Sequence, residues 1–208
     1  EISECLVGSE MCIRDSLPEE RMTPRERELC RDDMSHDFLT GVYNRQYLER
    51  VFGARLEQWA HQGRSAAVAL VALDKGPQLC DTYGQPVMDQ LHCFVGNQWK
   101  KHYDTPLHQV VCRLTGSIFV VGSVDTTGPQ LAARMQELYE QMPHECITTT
   151  GMMHRVQFTM SGAAAGLDEV EAKNWPALYE LCDARLRKVQ ALSLIHISEP
   201  TRHSLSRM

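Results

Sequence analysis

The sequence predicts an α/β sandwich, with helices packed on a mainly antiparallel sheet, and three observations carry that reading. Ala66 to Leu73 is an unbroken run of small and β-branched apolar residues ending at Asp74, as expected of a strand covered on both faces. Gln109 to Leu114 and Ile118 to Ser123 are strand-like runs on either side of Thr115-Gly116-Ser117, a hairpin signal. Around these runs lie segments whose apolar residues recur at helical spacing.

Each element follows from its local pattern. After a turn at Thr40-Gly41, Asn44 is a competent N-cap for a helix presenting Tyr47, Leu48, Val51, Phe52, Leu56 and Trp59 on one face. The central strand is followed by what reads as a polar loop to Pro86. A helix then places Val87, Met88, Leu91, Phe94, Val95 and Trp99 on one side. Beyond the hairpin, Thr126 or Thr127 can cap a helix holding Leu131, Met135, Leu138, Tyr139 and Met142. His154, Val156, Phe158 and Met160 alternate with Arg155, Gln157, Thr159 and Ser161, which predicts one half-exposed strand. Asn174-Trp175-Pro176 opens the last helix, with Leu178, Leu181, Cys182, Leu186 and Val189 inward. The order is helix, strand, helix, hairpin, helix, strand, helix, and it fits ferredoxin-like and polymerase-palm folds best.

Composition narrows the function. A chain of 208 residues, 43% hydrophobic, can bury the core of one domain of ordinary size. With 21 basic against 27 acidic residues the net charge is −6, which argues against holding nucleic acid by bulk electrostatics. No apolar run approaches the roughly 18 residues of a membrane-spanning helix, and the first residues lack a leader pattern. The reading is therefore a cytoplasmic protein with no membrane segment. Eight cysteines form no C-x-x-C pair and no His/Cys cluster of metal-ligand spacing, so reduced thiols and no metal centre are expected.

The two ends read differently from the middle. Cys5 to Ser16 back-translates to a transposase sequencing adapter, and Leu192 to Arg202 to its reverse complement. Residues 1–16 and 192–208 are accordingly expected to be adapter read-through, and they are left out of every site argument. What remains carries 18 basic and 22 acidic residues, a net charge of −4, so the conclusion about charge stands. Residues 17–36 are dominated by charge and read as a solvated linker or signalling helix. Residues 37–191 are the expected domain.

Within that domain, Asp37-Phe38-Leu39-Thr40-Gly41-Val42-Tyr43-Asn44-Arg45 resembles the D-x-L-T-G-L-x-N-R opening of GGDEF domains. These are the diguanylate cyclases that join two GTP molecules into cyclic di-GMP. Asp81-Thr82-Tyr83-Gly84 with Asp89 resembles the family's N-D-x-x-G-H-x-x-G-D run, and Arg113 to Phe119 stands in the place of R-Y-G-G-D/E-E-F. Ser161-Gly162 and Asp183 also fall at family positions. The resemblance covers about residues 36–190 and implies the nucleotide-cyclase, palm-like fold.

Carried over residue by residue, the resemblance implies a damaged site. The family's metal-binding carboxylate on the first strand falls at Ala72, and the metal-binding acid of the hairpin at Ser117. The acidic residue proposed to assist deprotonation of the ribose hydroxyl falls at Ile118. Asp74 matches the second Asp of the D-x-D pair, yet one carboxylate beside a neutral serine is a poor magnesium site. The guanine-reading Asn is Cys80, although its partner carboxylate is kept as Asp89. The phosphate-facing lysines fall at Pro77 and Gln190, with Lys75 and Lys188 close by. No residue is expected to be catalytic, and Asp89, Cys80 and Asp74 are the vestigial nucleotide-binding candidates.

The expectation is thus a degenerate, catalytically inactive GGDEF domain, a regulatory or interaction module of bacterial cyclic-di-GMP-type signalling. A protein partner or a homodimer is implied, with weak GTP binding as a sub-reading. No cofactor is expected; magnesium and GTP enter only if activity is retained. Two other readings stay open: a cyclase with altered metal ligation, and a dimerisation scaffold that holds no nucleotide.

Overall fold

The computed structural model describes residues 34–103, 109–150 and 152–196. Residues 1–33, which include the expected adapter segment and most of the charged segment, lie outside this description, as do residues 197–208. From Asp37 onward the chain forms one compact unit.

Helix α1 is a continuous helical run in three parts: an α-turn at Arg45–Tyr47, a π-helical segment at Leu48–Phe52, and an α-helix at Gly53–His61. Asn44 caps it, its side chain accepting from the Tyr47 N–H at 2.9 Å. Strand β1 (Ala66–Leu73) is buried at every position, which accounts for its unbroken apolar sequence. Helices α2 (Gly76–Tyr83) and α3 (Gln85–Tyr103) follow, then the hairpin of β2 (Gln109–Thr115) and β3 (Ile118–Val124). Next come α4 (Gly128–Gln141), β4 (Glu145–Thr150), β5 (Met152–Gln157), β6 (Met160–Gly166) and α5 (Trp175–His196).

The sheet runs β2-β3-β1-β6, with every neighbouring pair antiparallel, and β4 and β5 form a separate hairpin. One face of β1, through Ala67, Ala69 and Val71, packs with Leu91, Val95 and Trp99 of α3 and Leu131 of α4. The other face, through Val68 and Leu70, packs with Phe52 and Leu56 of α1 and Leu178 and Leu186 of α5. This is the predicted sandwich, with two cores sharing one sheet. Among the described residues no helix is long and apolar enough to cross a membrane.

Side chains cap the outer edge of β6 at three positions. Tyr139 Oη accepts from the Met160 N–H at 3.4 Å, Arg185 donates to the Ala164 carbonyl at 2.6 Å, and Glu169 accepts from the Gly166 N–H at 2.8 Å. Arg185 and Glu169 are themselves paired at 2.5 Å. Such caps blunt an edge that would otherwise template another strand.

Three details differ from the sequence reading. The segment expected to be a loop to Pro86 contains α2, which starts on Gly76-Pro77 and lays Leu79, Cys80 and Tyr83 against the core at helical spacing. The single strand expected over His154–Ser161 is two, β5 and β6, interrupted between Gln157 and Met160, and β5 pairs with a strand, β4, that was not foreseen. Alternation therefore fails at Ser161, which is buried because its hydroxyl is held by Asp74. Val51 and Val189, expected to face inward, are exposed: Val51 lies at the border of the buried stripe of α1, and Val189 shares the stripe of α5 but lies beyond Leu186, the last position of that stripe described as buried.

Candidate functional site

The end of β1, the start of α2 and the β2–β3 turn meet at one point. The Leu73 N–H donates to the Ser117 carbonyl at 3.1 Å, and a Cβ placed on Gly76 would lie 3.0 Å from Ser117 Oγ. Lys75, at φ 54°, makes the left-handed turn that sends the chain from strand to helix. The hairpin turn is closed by Gly116, at φ 47°, and by Arg113, whose Nε donates to the Gly116 carbonyl at 3.0 Å.

Asp74 stands in this junction with both oxygens occupied. Thr159 Oγ1 donates to one at 2.8 Å, Ser161 Oγ donates to the other at 2.7 Å, and the Asp74 N–H donates to the Thr159 carbonyl at 2.9 Å. Its carboxylate thus fastens β1 to β6. Ala72 is only 4% exposed, paired with Ile118 of β3 on one side and Ser161 of β6 on the other. Ile118 is partly buried against the α1/α5 core.

Ser117 belongs to a chain of polar groups that the sequence reading did not connect. Its Oγ lies 2.9 Å from His92 Nε2, while His92 Nδ1 lies 3.3 Å from an Arg113 amino group. The Arg113 guanidinium pairs with Asp37 at 3.2 Å, and Asp37 also accepts from the Thr40 N–H and hydroxyl at 2.9 and 2.7 Å. A guanidinium can only donate, so Nδ1 accepts and the ring hydrogen sits on Nε2, pointing at Ser117. The serine therefore receives a hydrogen bond, and the histidine has no lone pair left with which to activate it. Burial, reinforced by the Arg113 charge and opposed by Asp89 and Asp37, pushes His92 down to about 4. Burial raises the Asp37 carboxyl, but its bonds from Thr40 and the Arg113 charge outweigh that and hold it below the ordinary value. His92 carried a sequence signal in its place within the apolar stripe of α3, between Leu91 and Val95.

The two base-reading candidates are joined through a third residue. Gln85 Nε2 donates to Asp89 at 2.7 Å, and Cys80 Sγ donates to Gln85 Oε1 at 3.5 Å. The residues at the lysine positions also converge. Pro77 and Gln190 line one cleft of about 820 Å³ together with Asp74, Lys75, Gly76 and Glu145. Lys75 is the cation of that wall, opposed by two carboxylates, so the cleft gives a polyanion little to bind.

Magnesium needs several oxygen ligands of which carboxylates carry the charge. Here the position on β1 is a buried alanine, the hairpin position is a serine engaged by His92, and the one carboxylate accepts a hydroxyl on each oxygen. Among the described residues no group of three His, Cys, Asp or Glu side chains could hold a metal ion. The donor set does not fit the ion. Three buried thiols are equally inert: burial pushes Cys182 up to about 12 and raises Cys112 and Cys146.

A four-stranded antiparallel sheet with helices on both faces, and a cleft where its central strand passes into α2, define the class of nucleotide-cyclase-like domains. Residues 34–192 match the family described as diguanylate cyclase, GGDEF domain, and the chain belongs to that family. A probable diguanylate cyclase of Escherichia coli (strain K12), DgcJ, is 30% identical over 115 residues, 55% of this chain and 22% of its own length. The chain thus spans about a fifth of that relative. The coiled coil and GGDEF domain of DgcB from Caulobacter crescentus, solved in complex with c-di-GMP, superposes with a TM-score of 0.73 at 18% identity, covering 88% of this chain and 94% of that one. Diguanylate cyclase SiaD of Pseudomonas aeruginosa, solved with its activator SiaC, gives 0.64 at 16% identity, covering 90% and 68%. At these identities the two structures speak for the fold.

Proposed function

We propose that residues 37–191 form a catalytically silent GGDEF domain that acts as a regulatory or interaction module in cyclic-di-GMP-type signalling. The observation that carries this reading is the Ser117–His92–Arg113–Asp37 chain. Where a cyclase presents an acid to its metal, this protein presents a hydroxyl already bonded to a buried neutral imidazole. Asp74, tied to Thr159 and Ser161, and the apolar Ala72 and Ile118 support the same conclusion. A protein partner or a second copy is the expected occupant of such a module, and the SiaD–SiaC complex is a family precedent for a protein partner.

The test is incubation of the chain with GTP and magnesium, assayed for cyclic di-GMP, beside a calorimetric titration with the same nucleotide. No product and no saturable heat are expected. Product that disappears in Asp74→Asn would overturn the reading in favour of a cyclase with altered metal ligation. Saturable heat without product would leave it a silent domain but make Asp89 and Cys80 part of a nucleotide-sensing pocket.

A further inference from the structure

A second concavity, of about 670 Å³, lies between α4 and the outer edge of β6, lined among others by Val71, Trp99, Ala133, Met135 and Ala163. It shares only Asp74 and Thr159 with the cleft beside Gly76. Its size is that of a small-molecule pocket, and its wall is apolar apart from a few polar groups.

Two of those groups are short of partners. Trp99 is 1% exposed, and its indole N–H meets no acceptor among the described residues. Native folds seldom leave a buried donor in that state, but the nitrogen has no accessible surface, so Trp99 offers the groove its ring and not its N–H. The second group is on the strand. Met160, Ala164 and Gly166 turn backbone groups outward to Tyr139, Arg185 and Glu169. By the two-residue period of a strand, Gly162 also turns its N–H and carbonyl outward, and it is exposed and lines the groove. Among the described residues no such side-chain cap covers it. Among the described residues no lysine or arginine lines the groove, and the one carboxylate, Asp74, already accepts from Thr159 and Ser161.

We infer that this groove binds a neutral, planar ligand bearing an adjacent hydrogen-bond donor and acceptor, of lactam or amide type. Its edge pairs with the Gly162 N–H and carbonyl, and its ring enters beside Trp99. The absence of cations in the lining excludes a phosphate-bearing ligand as the preferred class.

The probe is 2-quinolinone, titrated into the full chain and followed by proton–nitrogen correlation spectra. Coumarin, the same two rings with the ring N–H replaced by oxygen, is the control. Saturable movement of the Gly162 amide and of the indole signal that Trp99→Phe removes is expected, with coumarin weaker by about tenfold. Ala133→Trp, which fills the groove from an exposed helix position, and Gly162→Pro, which deletes the donor on an edge strand, are each expected to weaken binding by about tenfold or more. No saturable shift, or unchanged affinity in Ala133→Trp, overturns the proposal. So does coumarin binding as tightly as 2-quinolinone.

Discussion

With Nδ1 accepting from Arg113 and Nε2 donating to Ser117, His92 has no position for a second proton, and taking one up would set a cation beside the guanidinium. Its native value of about 4 lies below the 6.5 of an unfolded histidine, so the unfolded state binds the proton first as pH falls. The stability this group contributes is complete above pH 6.5 and is lost progressively down to about 4. The full effect is about 3 kcal/mol. Urea unfolding between pH 4.5 and 7.5 should show it, and His92→Gln should flatten the part of the slope above pH 5 that carboxylates do not supply. Asp74 makes a different prediction. Since its two oxygens each accept a hydroxyl across the β1–β6 junction, Asp74→Ala should cost about 1–3 kcal/mol in urea unfolding, with Asp74→Asn intermediate. A carboxylate held for metal alone would instead leave stability unchanged or raised on removal.

At the scale of elements, the π-helical segment at Leu48–Phe52 turns Phe52 onto β3 at Gly122, where a Cβ would clash with the ring and with Val110 at 2.9 Å. Gly122→Ala should therefore destabilise by about 1–3 kcal/mol, and pairing it with Phe52→Leu should recover part of the loss. Thermal unfolding of the two variants checks it. At α4 the reciprocal cap between Thr127 and Gln130 predicts about 1 kcal/mol lost in Thr127→Ala. These elements differ in how far the sequence reveals them. Asn44, Thr127 and the β1 run announce themselves by residue type alone. The start of α2 does not, because its Gly76-Pro77 opening reads as a turn until the core contacts of Leu79 and Tyr83 decide for a helix. The β4–β5 hairpin is hidden for a similar reason: Ile147 and Met153 face solvent, so its apolar pattern is incomplete.

For the molecule as a whole, the framework is legible because glycines, caps and strand runs obey local rules, and the site is legible only as absences. Counting along the motif finds Ala72, Ser117 and Ile118 in place of acids, but it says nothing of what replaced them. The replacement joins four residues from three segments, Asp37 from the first turn, His92 from α3, and Arg113 and Ser117 from the β2–β3 hairpin, whose meeting depends on the hairpin folding back over α3. Long-range geometry of this kind has no local signature. Asp74 is the converse, a residue whose spacing suggests a ligand and whose neighbours make it a clasp.

The position of β1 has a consequence for how the protein is made. It is the first strand among the described residues and sits between β3 and β6, so its second neighbour begins only at Met160 and its lower cover, α5, only at Trp175. While the chain emerges from a ribosome, eight consecutive apolar residues with no charge among them wait for partners synthesised much later. Nascent chains arrested before residue 160 should stay protease-sensitive and bind chaperones through Ala66–Leu73, with resistance appearing only once α5 has cleared the tunnel.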